Sequence, residues 1–232
     1  VREIQRELIE KIKRVVEIPE VSSKPARENV LANRIVVIGS SAGGPPMLDT
    51  LVSQLPPDLS AAFIITQHMP EGFTAALAQR LNRISQMPVK EAENGDVLYA
   101  GRILVSKGGY HSIVSGTLDK DGKRGGRITL SKSPPMYAVR PAVNHTFTSA
   151  AQAFGSATVS VILSGMGSDG GEGSLAVKNV GGRTMVVAEE DCLVYGMARS
   201  ALERECVDKV VPFKRLPHEI KKSVRDLEEK DV

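Results

Sequence analysis

A short glycine-rich segment carries the residue best suited to act as a nucleophile. Residues 39–43 read Gly-Ser-Ser-Ala-Gly, which places Ser41 between Gly39 and Gly43 in a Gly-x-Ser-x-Gly pattern. An apolar run precedes the segment and a stretch of helical composition follows it. In a nucleophile elbow the serine lies on a sharp turn from a strand to a helix, and small flanking residues let the backbone close. The pattern predicts that Ser41 attacks a carbonyl carbon, with free N–H groups of the next turn facing the oxyanion.

The same glycine-rich pattern has two other interpretations. Glycine-rich turns from a strand to a helix also bind phosphate groups at the start of the helix. The dinucleotide-binding pattern needs glycine where Ser41 stands, and no acidic residue closes a second strand in the expected way. From this segment alone, an anion-binding loop and a plain tight turn stay open beside the nucleophile.

Two further segments place an imidazole and a carboxylate directly after apolar runs. His68 follows the run that ends at Thr66, and Asp169 lies in a glycine-rich stretch after the run that ends at Leu163. The carboxyl ends of strands are where α/β sheets place catalytic groups. The alternatives are a histidine bonded only to loop backbone and an aspartate that caps the next helix. A calcium loop is disfavoured because its alternating Asp or Asn ligands are missing.

Three predicted strand ends therefore offer the groups that ester cleavage requires. Ser41 is the candidate nucleophile, His68 the general base and Asp169 the acid that orients the imidazole. Their order along the chain is Ser, His, Asp, whereas common α/β-hydrolases have the order Ser, Asp, His. A different fold is therefore expected.

Apolar runs that alternate with segments of helical length predict an α/β fold, with a mostly parallel, doubly wound sheet flanked by helices. The predicted parallel strands are Ile35–Ile38, Ala62–Thr66, Val159–Leu163 and Thr184–Val187. The predicted helices are Pro45–Gln54, Gly72–Arg83, Pro141–Phe154 and Gly171–Val180. Residues 88–133 interrupt the alternation with three strand-like runs, Ile103–Ser106, Ser112–Leu118 and Arg127–Ser131. Asp-Gly and Gly-Gly turn signals in residues 119–126 predict that this insertion contains an antiparallel hairpin.

The chain divides into a short leading segment and one domain. Apolar residues recur at helical spacing in residues 1–18, which predicts an amphipathic helix, and residues 19–33 lose that period. We therefore predict an N-terminal helix and linker over residues 1–33 and a catalytic domain over residues 34–232. The last predicted element is a surface helix at Leu216–Asp231.

Composition narrows the function classes. Among 232 residues, 30 Lys and Arg stand against 27 Asp and Glu, and Trp is absent, so neither charge nor stacking side chains favour nucleic acid as a partner. The two cysteines lack the spacing of metal ligands and suit a reducing compartment. The sequence contains neither a long apolar run nor a secretory signal, so the expectation is a cytoplasmic protein without membrane insertion.

The combined motifs resemble the chemotaxis protein-glutamate methylesterase family over residues 34–212. The agreeing segments include Ile38–Pro45, Gln67–Thr74, Ala78–Asn82, Gly108–His111, Ile162–Gly170 and Tyr195–Met197. By this resemblance the nucleophile is Ser41, the base His68 and the acid Asp169. The resemblance also implies an oxyanion hole made by backbone N–H groups near Ala42 and Met166, with no metal and no organic cofactor.

The resemblance further implies a substrate and partners. Members of this family hydrolyse glutamate methyl esters on the cytoplasmic helices of chemoreceptors, and many also deamidate receptor glutamines. A receiver domain usually precedes the catalytic domain, so such a domain is an expected partner of this chain. Ala42, Ala142, Asn144 and Ala198 depart from the usual family residues, while the three catalytic side chains agree. A related esterase with another substrate and a non-enzymatic anion-binding module are the alternative functions.

Overall fold

The structure, a computed structural model, describes residues 29–118, 122 and 124–228. The strands are β1 (Ile35–Ser40), β2 (Ala62–Gln67), β3 (Val89–Glu91), β4 (Arg102–Val105), β5 (His111–Leu118), β6 (Arg124–Ser131), β7 (Thr158–Ile162), β8 (Arg183–Val187) and β9 (Lys209–Val211). The helices are α1 (Gly44–Gln54), α2 (Phe73–Ile84), α3 (Val143–Phe154), α4 (Gly171–Asn179), α5 (Gly196–Glu203) and α6 (Leu216–Glu228).

Seven of these strands form one sheet in the order β3-β4-β2-β1-β7-β8-β9, and every neighbouring pair is parallel. The chain first builds the half of the sheet that contains β1, β2, β4 and the edge strand β3, and then returns to the other side of β1 to build β7, β8 and β9. The carboxyl ends of β1 and β7 therefore flank the point at which the winding reverses. In open α/β sheets that point forms the crevice where ligands bind. The predicted fold class is confirmed.

Alternate residues of β1 face opposite sides of the sheet, and each side has its own apolar core. Val36 and Ile38 pack into a cluster covered by α1, α2 and α6. Ile35 and Val37 pack into a second cluster that includes residues of α3 and α5. A fully buried side chain of this size contributes about 1.5–3 kcal/mol. A central strand buried on both faces is thereby held in place, together with the turn that follows it.

The predicted hairpin is confirmed as β5 and β6, an antiparallel pair in which Gly116 lies opposite Gly126. The assignment of Ile103–Ser106 to the same insertion is wrong. Residues 102–105 form β4, which pairs in parallel with β2 inside the main sheet. An apolar run this short carries no signal for the direction or identity of its partner strand.

The remaining differences concern short elements. Strands β3 and β9 have three residues each, and α5 has eight and begins with glycine, so none of them shows a clear period in the sequence. The four predicted parallel strands and the four helices between them are confirmed within two residues. The predicted helix over residues 1–18 and residues 229–231 of the predicted C-terminal helix lie outside the described residues.

The proposed domain boundary at residue 34 stays a prediction. Just before it, Ala32 is fully buried, and its N–H donates to the Leu98 carbonyl at 3.0 Å. Leu31 forms a bridge with Tyr99. The last residues of the predicted linker are therefore packed against the domain.

Candidate functional site

Ser41 lies on the turn from β1 to α1, at the carboxyl end of a central strand. A Cβ on Gly39 would lie 2.5 Å from the Val143 side chain, so only glycine lets α3 approach β1 this closely. Gly43 has φ 81°, a left-handed conformation that side chains other than glycine rarely adopt. The two glycines of the Gly-x-Ser-x-Gly pattern are thus required for different reasons. Gly39 allows the close approach of α3, and Gly43 adopts a positive φ.

His68 and Asp169 lie in one hydrogen-bonded pair. The distance from His68 Nε2 to Asp169 Oδ2 is 2.7 Å, and the side chains are 10% and 2% exposed. An ionised carboxylate only accepts hydrogen bonds, so Nε2 carries the proton and donates it. The neutral ring then keeps Nδ1 as its acceptor.

Asp169 also receives backbone hydrogen bonds from the start of α3. Its Oδ2 accepts from the Val143 N–H at 2.6 Å, and its Oδ1 accepts from the Asn144 N–H at 2.9 Å. Oδ1 further accepts from the Gly170 N–H at 3.0 Å. The alternative expectation is that Asp169 caps the helix that follows it. This is wrong, because the helix whose N-terminus it caps is α3, which precedes it in the chain. The same carboxylate is hydrogen-bonded to His68.

Asn144 ties the Asp169 loop to α3, and the sequence did not identify this function. Its Oδ1 accepts from the Gly170 N–H and the Gly173 N–H, both at 2.8 Å. The side chain is almost fully buried. Sequence reasoning recorded Asn144 only as a departure after Arg-Pro, because its partners lie 26 and 29 residues away. A neutral amide there accepts these bonds without a second negative charge beside Asp169.

The loops that carry Ala42 and Met166 are hydrogen-bonded to one another. The Ser41 N–H donates to the Ser164 carbonyl at 2.9 Å, and the Ser164 hydroxyl donates to the Ala42 carbonyl at 2.7 Å. Ala42 and Met166 are both exposed at this edge of the sheet. The two residues whose N–H groups were predicted to bind the oxyanion thus lie on adjoining turns.

Ser41 and His68 share an open groove of about 460 Å³. Its other lining residues are Ala42, Gly43, Pro45, Gln67, Met69, Pro70 and Phe73. A cavity of about 510 Å³ lies at the opposite end of β2, lined in part by Ala62 and Arg102. Of these two, the groove at the carboxyl ends of the strands contains both a serine and a histidine.

The other histidines have different surroundings. His111 is fully buried, its Nδ1 accepts from the Ala142 N–H at 3.2 Å, and its Nε2 donates to the Pro134 carbonyl at 3.2 Å. Burial, the largest effect, lowers the pKa of His111 below its usual value. The His145 ring contacts the His111 ring in a tilted arrangement, with ring centroids 4.2 Å apart and an interplanar angle of 50°, and His218 lies on α6. His111 therefore supports the start of α3 and has both ring nitrogens occupied.

Neither cysteine shows the features of a reactive thiol. Burial and the acidic side chains of residues 189–191 raise the pKa of Cys192 to about 11. Burial also raises the pKa of Cys206. A thiol with a raised pKa carries little of the thiolate needed for nucleophilic attack at neutral pH. The raised pKa values therefore disfavour both cysteines as nucleophiles.

Among the described residues there is neither a cluster of metal-ligating side chains nor a helix that could cross a membrane. No group of three or more His, Cys, Asp or Glu side chains is arranged to hold a metal ion in that part of the chain. Over residues 29–118 and 124–228, none of the helices has both the length and the apolar character needed to span a bilayer.

Comparison with known proteins identifies relatives along most of the chain. The family described as CheB methylesterase matches residues 36–220. A protein-glutamate methylesterase/protein-glutamine glutaminase 1 of Methanospirillum hungatei is 58% identical over 97% of this chain, which spans 66% of that protein. A protein-glutamate methylesterase/protein-glutamine glutaminase of Pyrococcus abyssi is 37% identical over 96% of this chain, which spans 63% of it.

A solved structure agrees with this result. The crystal structure of the Thermotoga maritima CheB methylesterase catalytic domain superimposes with a TM-score of 0.76 at 40% sequence identity. The match covers 82% of this chain and 97% of that domain. The sheet and the helices around the groove therefore follow the architecture of that catalytic domain.

Proposed function

Because the chain belongs to the CheB methylesterase family, we propose that it hydrolyses glutamate methyl esters on chemoreceptors and releases methanol. The observation that carries the proposal is the His68–Asp169 pair beside Ser41 in one groove. The names of the relatives from Methanospirillum hungatei and Pyrococcus abyssi describe the same activity.

Each residue of the site has a proposed role. Ser41 is the nucleophile, His68 the general base and Asp169 the group that fixes the imidazole tautomer and stabilises the imidazolium. Because Nε2 is bonded to Asp169, Nδ1 is the nitrogen that takes the proton of Ser41. The N–H groups of Ala42 and Met166 stabilise the oxyanion.

The proposed reaction has two halves. The Ser41 oxygen attacks the ester carbonyl while its proton passes to His68, and collapse of the tetrahedral intermediate expels methanol, which leaves with that proton. Water then loses a proton to His68 and attacks the acyl-enzyme. The proton returns to Ser41 as the glutamate carboxylate departs. The described side chains supply every proton acceptor and donor in this scheme, so we propose no cofactor.

The same steps would deamidate a receptor glutamine, with ammonia in place of methanol as the leaving group. The names of the relatives from Methanospirillum hungatei and Pyrococcus abyssi include both protein-glutamate methylesterase and protein-glutamine glutaminase. We include deamidation in the proposal for that reason.

The exposed apolar residues around the groove suit a protein substrate. Phe73 lines the groove and is 62% exposed, while Met166 is 72% and Leu193 77% exposed. Apolar side chains this exposed favour contact with a partner surface. We propose that they contact the cytoplasmic receptor helix that carries the methylated glutamate.

The remaining parts of the proposal concern context. The chain spans about two thirds of its curated relatives, and we propose that a receiver domain acts as its partner in regulation. We also propose a cytoplasmic location, where the receptor helices lie. Neither nucleic acid nor membrane insertion forms part of the proposal.

A methyl-release assay tests the function directly. Receptor membranes labelled with a radioactive methyl group would be incubated with the protein, and the released methanol would be measured. Release above that of buffer supports the proposal. Hydrolysis of a model ester without release from receptor would instead favour a related esterase with another substrate. Failure on both would favour the anion-binding module.

A further inference from the structure

The buried side chain of Gln67, the last residue of β2, lies directly behind the Ser41 turn. Only 2% of Gln67 is exposed. Its Oε1 accepts from the Ser40 hydroxyl at 2.6 Å. Its Nε2 donates to the Ser41 carbonyl at 2.9 Å and to the His68 carbonyl at 3.1 Å. One side chain therefore contacts the backbone of both the proposed nucleophile and the proposed base.

The partners fix the orientation of the amide. The carbonyl oxygens of Ser41 and His68 can only accept hydrogen bonds, so the NH₂ group of Gln67 must face them. The Ser40 hydroxyl can donate, which suits the opposite oxygen. A flipped amide would place an oxygen against two carbonyl oxygens in a buried site.

The Ser41 carbonyl belongs to the same peptide unit as the Ala42 N–H. A trans peptide is planar, with its C=O and N–H pointing in opposite directions. The donor that holds the carbonyl therefore also sets the direction of the N–H. A hydrogen bond to the carbonyl oxygen also polarises the peptide and strengthens its N–H as a donor.

We propose that Gln67 is a positioning residue that aims and strengthens the Ala42 N–H of the oxyanion hole. This inference rests on the proposed function, because it takes Ala42 to be an oxyanion donor. The Gly44 N–H also donates to the Ser41 carbonyl, at 3.0 Å, so Gln67 completes the pair of donors on that oxygen.

The second proposed oxyanion peptide is held in a comparable way by backbone alone. The Gly165 carbonyl shares a peptide unit with the Met166 N–H and accepts from the Met197 N–H at 3.0 Å. That donor belongs to the first turn of α5. Substitution of a side chain does not remove a backbone donor, so Gln67 is the residue through which the oxyanion hole can be weakened selectively.

The physical consequence is an effect on the transition state. The oxyanion exists only as the carbonyl is attacked, so loss of its stabilisation lowers kcat and leaves KM nearly unchanged. Removing an oxyanion donor outright costs about 10²–10³-fold in kcat. Gln67 acts through the donor, so we expect a loss of about 10- to 100-fold.

The test compares three variants. Gln67→Met keeps the volume of the side chain without its polar atoms, and Gln67→Glu keeps the shape but replaces the NH₂ group with an oxygen. Ser40→Ala is the matched control, because it removes the hydroxyl that bonds to Oε1 and leaves both donations from Nε2. Circular dichroism establishes folding, and kcat and KM are measured on a model ester. The rate of labelling by a p-nitrophenyl phosphonate is measured in parallel.

We expect both Gln67 variants to lose about 10- to 100-fold in kcat and in the labelling rate, with KM within about threefold of wild type. The Ser40→Ala variant is expected to stay within about threefold on every measure. Folded Gln67 variants with wild-type kcat and labelling rate would overturn the inference. If Gln67→Met does not fold, Gln67→Glu decides the question alone. A Ser41→Ala protein that still hydrolysed the ester would instead overturn the proposed function.

Discussion

The acid end and the nucleophile end of the site are held in place by different kinds of donor. The Asp169 carboxylate accepts three backbone N–H groups, two of them from the start of α3. The Ser41 carbonyl accepts one backbone N–H and one side-chain amide. Backbone donors persist when side chains change. The comparison teaches that Asp169 is oriented chiefly by an intact helix start, whereas one of the two donors on the Ser41 carbonyl can be removed by changing a side chain.

The largest effect in this comparison is expected from Asp169→Asn. The new NH₂ group would replace either Oδ2, where it faces His68 Nε2 and the Val143 N–H, or Oδ1, where it faces the Asn144 N–H. When it faces His68, the ring proton moves to Nδ1, and the base toward Ser41 is lost. We expect kcat on a model ester to fall about 10⁴-fold.

The control for Asp169→Asn is its folding, followed by circular dichroism and thermal unfolding. A folded Asp169→Asn protein within tenfold of the wild-type kcat would show that His68 does not depend on the carboxylate for its tautomer. The acid end would then have a structural function only.

A smaller effect, on the pH dependence of the free energy of unfolding, is expected from changing His111. This side chain supports the start of α3 by accepting from the Ala142 N–H. The pKa of His111 is lowered from 6.5, chiefly by burial, so the unfolded chain binds this proton more readily than the folded protein. Stability from this group is therefore present above about pH 6.5 and is lost as the pH falls below that value. The slope for one such group is at most about 1.4 kcal/mol per pH unit.

Urea unfolding between pH 7.5 and pH 5 measures this slope. We expect His111→Gln to be less stable than wild type at pH 7.5 and to lose less further stability on acidification. His218→Gln, which changes an exposed histidine on α6, is the matched control and should keep the wild-type slope. Equal slopes in wild type and His111→Gln would contradict the account of a neutral, buried His111.

The sequence predicted the parts of the site that depend on local pattern. Ser41, His68 and Asp169 each follow an apolar run, and parallel strands bring their carboxyl ends to one edge, so the shared edge could be predicted. The catalytic roles of the three residues stay a prediction. The cap from Asp169 to α3 could not be predicted, because it joins residues 25 and 26 positions apart through backbone groups.

Other parts of the fold left no local signal. Strands β3 and β9 are too short to show a period, and β4 looks like part of an insertion until its pairing with β2 is seen. Gln67 adjoins His68 in the sequence, but its contact with Ser41 arises only from the pairing of β1 with β2. The place of β4 in the sheet and the contact of Gln67 with Ser41 thus depend on strand pairing between distant segments, which a local sequence pattern does not reveal.

The most direct test of the central claim is covalent labelling by a serine-directed p-nitrophenyl phosphonate, read by mass spectrometry of the intact protein and its peptides. We predict one phosphonyl group per protein, on Ser41, with no label on Ser41→Ala and much slower labelling of His68→Ala. Labelling at another residue, or equal labelling of wild type and Ser41→Ala, would contradict the claim that these strand ends form a serine esterase site.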